Sequence, residues 1–157
     1  MKILLLCVGK TSENYLKDGE KIYLKRLTHY CHFEKKVIDD LKNRKRLSIL
    51  EIKRNEGFLL LKNINTSDFI VLLDEKGENL SSVDFSVFIE EKSFHSVGKI
   101  VFIIGGAYGF SEEVYKRANK KMQLSSMTFS HQMVRLFFLE QLYRAFSIIK
   151  KEKYHNA

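Results

Sequence analysis

Four short segments hold residues whose types and spacing can do chemistry. The first runs from Ile103 to Phe110, where an apolar stretch empties into Gly105, Gly106 and Gly109 before Ser111, Glu112 and Glu113 open a helical pattern. Glycines let a backbone approach a ligand closely and adopt positive φ, and a helix start offers free N–H groups. The segment reads as a cofactor loop at the C-terminal edge of a parallel sheet, or as a tight strand-to-helix turn with Ser111 as N-cap. It is neither G-x-G-x-x-G nor a P-loop, and no acidic residue follows where a dinucleotide site needs one, so a dinucleotide site of that kind is disfavoured. The second runs from Leu124 to Arg135, in which small hydroxyl residues precede a long apolar helix that Ser130 can cap. His131 reads as a helix-start residue. Arg135 sits where the helix dipole disfavours a cation, which invites an anion or a carboxylate partner.

The third is Glu140 and Arg144, spaced i,i+4 in the favourable order. Such pairs usually lie on a solvated face, but here the neighbours are apolar, which implies a partly buried pair. The fourth is the tail, Tyr154 to Ala157. Chain ends fray, yet an aromatic beside a histidine suits base stacking and base or phosphate contact. Basic clusters at Lys42/Arg44/Lys45/Arg46, Lys116/Arg117/Lys120/Lys121 and Lys150/Lys151/Lys153 can meet RNA phosphates or simply face water.

The elements that must position these residues are short and alternating. Apolar runs at Lys2–Val8, Phe33–Ile38, Phe69–Asp74, Lys99–Ile104 and Leu124–Phe129 suit strands. Helical patterns lie between them: one marked by Leu16, Tyr23, Leu27 and Tyr30, a second by Leu47, Leu50, Phe58, Leu61 and Ile64, then Ser82–Phe94, Ser111–Lys121 and His131–Lys150. Alternation of this kind implies an α/β fold with a mainly parallel sheet flanked by helices. The last helix is apolar around most of its circumference, from Leu136 to Ile149, so it is expected to be buried on more than one side, with a second copy of the chain as the natural cover.

Bulk properties agree. The 157 residues suit one domain. A net charge of +8 favours a polyanionic partner. Cys7 and Cys31 have no ligand spacing around them, so no metal site and a reduced, cytoplasmic chain are expected. The opening run at residues 3–8 is too short for a signal core or a membrane span.

Val8-Gly9-Lys10, Leu73-Asp74 with Gly77, the 104–110 glycine loop, Met127 to Arg135, Glu140 to Phe146 and Tyr154-His155 occur in the order, and near the spacing, of the ribosomal RNA large-subunit methyltransferase H family, which this sequence resembles over essentially its whole length. The resemblance implies one SPOUT domain over 1–157, with a C-terminal trefoil knot, an exception to unknotted topology, and a homodimer. It implies S-adenosylmethionine held by loops after three strands, here Leu73, Gly105, Gly106, and Ser125, Ser126, Met127, Thr128, Phe129 and Ser130. The implied reaction is methylation of N3 of a pseudouridine in large-subunit ribosomal RNA on the assembled ribosome, with Arg144, Tyr154 and His155 as the catalytic candidates. Two departures stand out: Ser130 replaces the family's usual proline, and Asn156 replaces a basic residue. The alternatives are another SPOUT RNA methyltransferase, or a non-catalytic basic protein of RNA binding or ribosome assembly.

Overall fold

The computed structural model describes residues 1–95 and 97–156; Ala157, the last residue of the tail singled out above, lies outside them. Five parallel strands form one sheet in the order β2-β1-β4-β3-β5. They are β1 (Lys2–Val8), β2 (His32–Ile38), β3 (Phe69–Asn79), β4 (Lys99–Ile104) and β5 (Lys120–Gln123). The helices are α1 (Asn14–Leu27), α2 (Ile49–Leu61), α3 (Ser82–Phe94), α4 (Glu112–Arg117) and α5 (His131–Ile149), with a 3-10 turn at Arg44–Arg46.

Side chains alternate across a strand, and β1 uses both sides. Ile3, Leu5 and Cys7 enter the core under α1, α3 and α5, while Leu4, Leu6 and Val8 enter the core on the opposite face with Leu60 of α2 and Val114 of α4. A strand buried on both faces reads as an unbroken apolar run, and β1 and β4 are such strands at the centre of the sheet. Burial also explains the thiols: desolvation pushes Cys7 up to about 11, leaving it a small apolar side chain rather than a nucleophile.

The expected fifth strand at Leu124–Phe129 is corrected. That stretch is irregular, and the strand is Lys120–Gln123, which begins inside the segment expected to be helical, Ser111–Lys121, and runs two residues past it. Helix α4 stops at Arg117, whose guanidinium donates to the carbonyls of Asn65, Thr66 and Asp68 at 2.8, 3.1 and 2.9 Å. Asn119 then bonds both backbone groups of Ile70, by N–H to carbonyl at 2.9 Å and by Oδ1 to N–H at 2.8 Å, which starts the chain along β3. As an edge strand, β5 buries only Met122.

Helix α5 lies over the sheet between α1 and α3, and every one of its residues is buried or half-buried. Part of the cover expected from a second copy therefore comes from the chain's own helices. Its inner face rests on Phe138, whose ring lies 4.6 Å from that of Phe102 and 6.3 Å from that of Phe85. Phe138→Ala is expected to cost about 3 to 5 kcal/mol. Urea unfolding at one fixed protein concentration checks this, and a loss below about 1 kcal/mol contradicts the packing described.

Candidate functional site

At the C-terminal edge of the sheet, the middle of β3, where its register against β5 shifts between Leu73 and Glu78, and the segments that leave β4 and β5 enclose a cleft of about 580 Å³. Leu73 to Lys76 form one wall, Ile104 to Phe110 a second, and Gln123 to Ser130 a third; His131 and Val134 of α5 and Lys53 of α2 complete it. Walls that mix apolar side chains with polar groups and exposed backbone suit a small organic ligand that is itself part apolar and part polar. Among the described residues there is no cluster of three or more side chains able to hold a metal.

Of the nine residues expected to hold a cofactor, eight line this cleft: Leu73, Gly105, Gly106, Ser125, Met127, Thr128, Phe129 and Ser130. Ser126 does not. Local bonds shape the walls. Ser125 Oγ accepts from Met127 N–H at 3.0 Å, Thr128 donates to Glu75 at 3.3 Å, and the Phe129 ring packs 4.9 Å from that of Phe137. Ser130 caps α5, its Oγ accepting from Met133 N–H at 3.3 Å, so a serine serves at the position where proline is usual. The pattern also points past residues that composition hides: Asp74, which accepts from the Tyr115 hydroxyl, and Tyr108 at the loop tip.

The glycine loop needs its glycines. Gly109 has φ +80°, and its N–H closes the loop onto the Gly106 carbonyl at 3.2 Å. A Cβ at Gly106 would stand 2.7 and 2.9 Å from the two carboxylate oxygens of Glu56. Glu56 is 2 % exposed, and neither oxygen has a hydrogen-bond partner among the described residues. Burial raises its carboxyl above the usual range. Arg135, expected to meet an anion or carboxylate directly, is instead fully buried, where it donates to the Val8 carbonyl at 2.7 Å and to Thr11 Oγ at 3.1 Å.

The three catalytic candidates come together, but not in this cleft. Arg144 donates to Glu140 Oε1 through Nε at 3.1 Å and through a terminal nitrogen at 2.6 Å. The Tyr154 hydroxyl donates to the same oxygen at 3.0 Å and lies 3.4 Å from the Tyr23 hydroxyl. The Arg144 guanidinium stands 4.8 Å from the Tyr154 ring centroid, and its other terminal nitrogen lies 3.4 Å from His155 Nδ1. His155 Nε2 is buried without a partner among the described residues. The tail is therefore docked against α1 and α5 rather than frayed. The bond to Glu140 holds Arg144 firmly cationic, and burial followed by bonds to Tyr23 and Glu140 keeps the Tyr154 phenol protonated.

Both groups hang on α5 and are separated by its length. His131 borders the cleft and Arg144 is 13 residues further along the helix, a distance of roughly 20 Å at about 1.5 Å per residue.

Comparison with known proteins bears on this arrangement. Residues 1–155 match the family model described as a predicted SPOUT methyltransferase. Three proteins named ribosomal RNA large subunit methyltransferase H are similar along their whole length. That of Christiangramia forsetii is 54% identical over 156 residues, covering 99% of each chain. That of Cytophaga hutchinsonii is 53% identical over 156 residues, covering 99% of this chain and all of the other (100%). That of Parabacteroides distasonis is 52% identical over 157 residues, again covering 99% of each.

The Glu56 carboxyl gives a prediction with a definite sign. Its folded value lies above its unfolded one, so folding takes up a proton between the two, and stability falls as pH rises through that window. Glu56→Gln is thus expected to be more stable than the parent at pH 7, with the advantage shrinking as pH falls toward 4. Urea midpoints at the two pH values check it; an equal effect at both would show that the fold does not raise the carboxyl above its ordinary range.

Proposed function

The chain belongs to the SPOUT methyltransferase family, among the ribosomal RNA large-subunit methyltransferases H, and from that membership we propose that it methylates a base of large-subunit ribosomal RNA, specifically N3 of a pseudouridine on the assembled ribosome. The methyl donor is S-adenosylmethionine, which supplies a methyl group carried on a sulfonium. The residues at the cleft fit such a group. Leu73, Ile104, Phe110 and Val134 offer apolar surface for an adenine ring, and the glycine loop presents bare backbone that a side chain at Gly106 would displace. On this reading Leu73, Gly105, Gly106, Ser125, Met127, Thr128, Phe129 and Ser130 hold the cofactor; Ser126 supports the loop from outside.

Methylation of N3 requires that nitrogen to lose its proton, and negative charge then spreads onto the neighbouring carbonyl oxygens. A cation fixed beforehand is the group that stabilises such charge. Arg144 suits the task because Glu140 fixes its guanidinium by two bonds while leaving one terminal nitrogen directed at His155. His155 keeps a free ring nitrogen to position the base or accept its proton. Tyr154 presents a ring edge and a protonated hydroxyl beside them. The chemistry would rest mostly on orienting the two reactants.

The observation that carries the proposal furthest is the separation along α5. A cofactor cleft and an arginine–histidine group roughly 20 Å apart cannot serve one methyl transfer within one chain. A second copy that brings its own Arg144, Tyr154 and His155 to the cleft resolves this, so a homodimer is part of the proposal. Half-buried Met133 and Phe137 of α5 and exposed Tyr15 and Ile22 of α1 are apolar surface for that contact. Among the described residues no helix is long and apolar enough to cross a membrane, and the cytoplasm, where ribosomes are, is the proposed location. The trefoil knot belongs to the same reading.

Arg144→Ala is expected to lower methylation of ribosomes by about 10² to 10³ while calorimetric affinity for S-adenosylmethionine stays within about twofold. Mixed with a Gly106→Val chain that cannot hold the cofactor, it should regain activity in about a quarter of sites, those pairing one intact cleft with one intact arginine across the dimer. Loss of cofactor binding in Arg144→Ala, or no recovery on mixing, contradicts the proposal.

A further inference from the structure

The sequence offers three basic clusters, and the fold treats them differently. In the 116–121 cluster, Arg117 is tied to three carbonyls and Lys120 is paired with Glu78. Lys150, Lys151 and Lys153 flank the tail and belong with the site already described. The cluster between β2 and α2 is different. Asn43 adopts the left-handed conformation at φ 57°, which turns the chain sharply into the 3-10 turn at Arg44–Arg46. Lys42, Lys45 and Arg46 are all exposed, and none has an ion pair or hydrogen-bond partner for its side chain among the described residues.

The turn also has a fixed place. Arg44 is its anchor: the guanidinium carbon stands 5.5 Å from the centroid of the Tyr108 ring, and a terminal nitrogen lies 3.8 Å from Asp40. Tyr108 is the tip of the glycine loop and lines the cleft. A cation over an aromatic face is attracted by the ring quadrupole, so the contact pins the base of the turn to the rim of the cleft and leaves its three free cations pointing outward. Behind the turn, Ser48 and Glu51 form a capping box that fixes the start of α2, so the turn is braced on both sides.

We propose that this braced turn is an RNA-backbone surface: Lys42, Lys45 and Arg46 receive consecutive phosphates of the substrate strand at the lip of the cofactor cleft, held there by the Arg44–Tyr108 contact. The inference rests on the RNA-methylating function proposed above and adds where the strand lies. Three exposed, uncommitted cations in one tight turn suit the charged phosphates of a strand better than a single base edge. Their contribution is therefore independent of sequence and sensitive to salt. Their position beside the cleft, not on the opposite edge of the sheet, gives the strand a route to the reacting base.

The test compares the parent with the triple variant Lys42→Gln, Lys45→Gln, Arg46→Gln on ribosomes from a strain lacking the protein, and on protein-free large-subunit RNA. Binding to both is expected to weaken by at least about tenfold, and the plot of log affinity against log salt to become shallower by about 2 to 3 units. The charge-keeping variant Lys42→Arg, Lys45→Arg, Arg46→Lys should restore both. Unchanged affinity and slope overturn the proposal and leave a solvated face. Weakening on ribosomes but not on free RNA overturns it in favour of a ribosomal protein as the contact. A fall of more than about twofold in calorimetric affinity for S-adenosylmethionine overturns it too, by making the turn part of the cofactor site. If the parent binds ribosomes in this charge-dependent way but transfers no methyl group, the surface stands and the proposed activity fails.

Discussion

The fully buried guanidinium of Arg135 is the constraint on which the rest of the structure depends. It bonds the Val8 carbonyl at the end of β1 and the Thr11 hydroxyl just beyond it; Thr11 in turn donates to Glu20 of α1 at 2.8 Å, and Glu20 is paired with Lys35 of β2. One polar chain therefore links α5, β1, α1 and β2 inside the protein. Taking such charges out of water costs several kcal/mol per ion; the two terminal nitrogens of Arg135 offset part of that through these bonds, while its Nε has no partner among the described residues. Sliding α5 by one residue would carry the buried Arg135 guanidinium away from the Val8 carbonyl and the Thr11 hydroxyl. The first turn of α5 is thereby fixed against the sheet edge, and with it His131 and Val134 at the cleft.

Fixing one end of a nearly straight helix fixes the other. The second functional group, Glu140 with Arg144, rides on the same element and is finished by the returning tail, which docks through Tyr154 on Tyr143 and Tyr23. The sheet order adds the complementary half. Because β3, β4 and β5 are neighbours, the irregular middle of β3 and the loops that leave β4 and β5 converge on one cleft. The molecule thus has two rigid half-sites with a helix between them. On the proposed reading, assembly with a second copy completes the site.

Much of this was legible in the sequence, and the failures have physical causes. Central strands buried on both faces gave unbroken apolar runs, which is why β1 and β4 were expected at the bounds observed. Strand β5 was misplaced because an edge strand with one inward residue, Met122, carries no such signal, while Leu124–Phe129 is apolar for a different reason: it lines a cleft. The tail looked frayed because the contacts that dock it, to Tyr23 above all, are far away along the chain. Glu56 was missed, although a signal existed. It falls between Ile52 and Leu60 at four-residue spacing, on the buried stripe of α2, and a lone carboxyl on such a stripe marks a buried polar group. Arg135 was noticed for its position in the helix dipole, but its partners lie on another element, where no local pattern points.

The activity of this protein is decided by the base that is modified. Nucleosides from the large-subunit ribosomal RNA of a strain lacking this protein, separated and weighed by mass spectrometry, test that directly. The expected result is the loss of one N-methylated pseudouridine, restored by the parent gene and not by Arg144→Ala. An unchanged set of modified nucleosides would contradict the account.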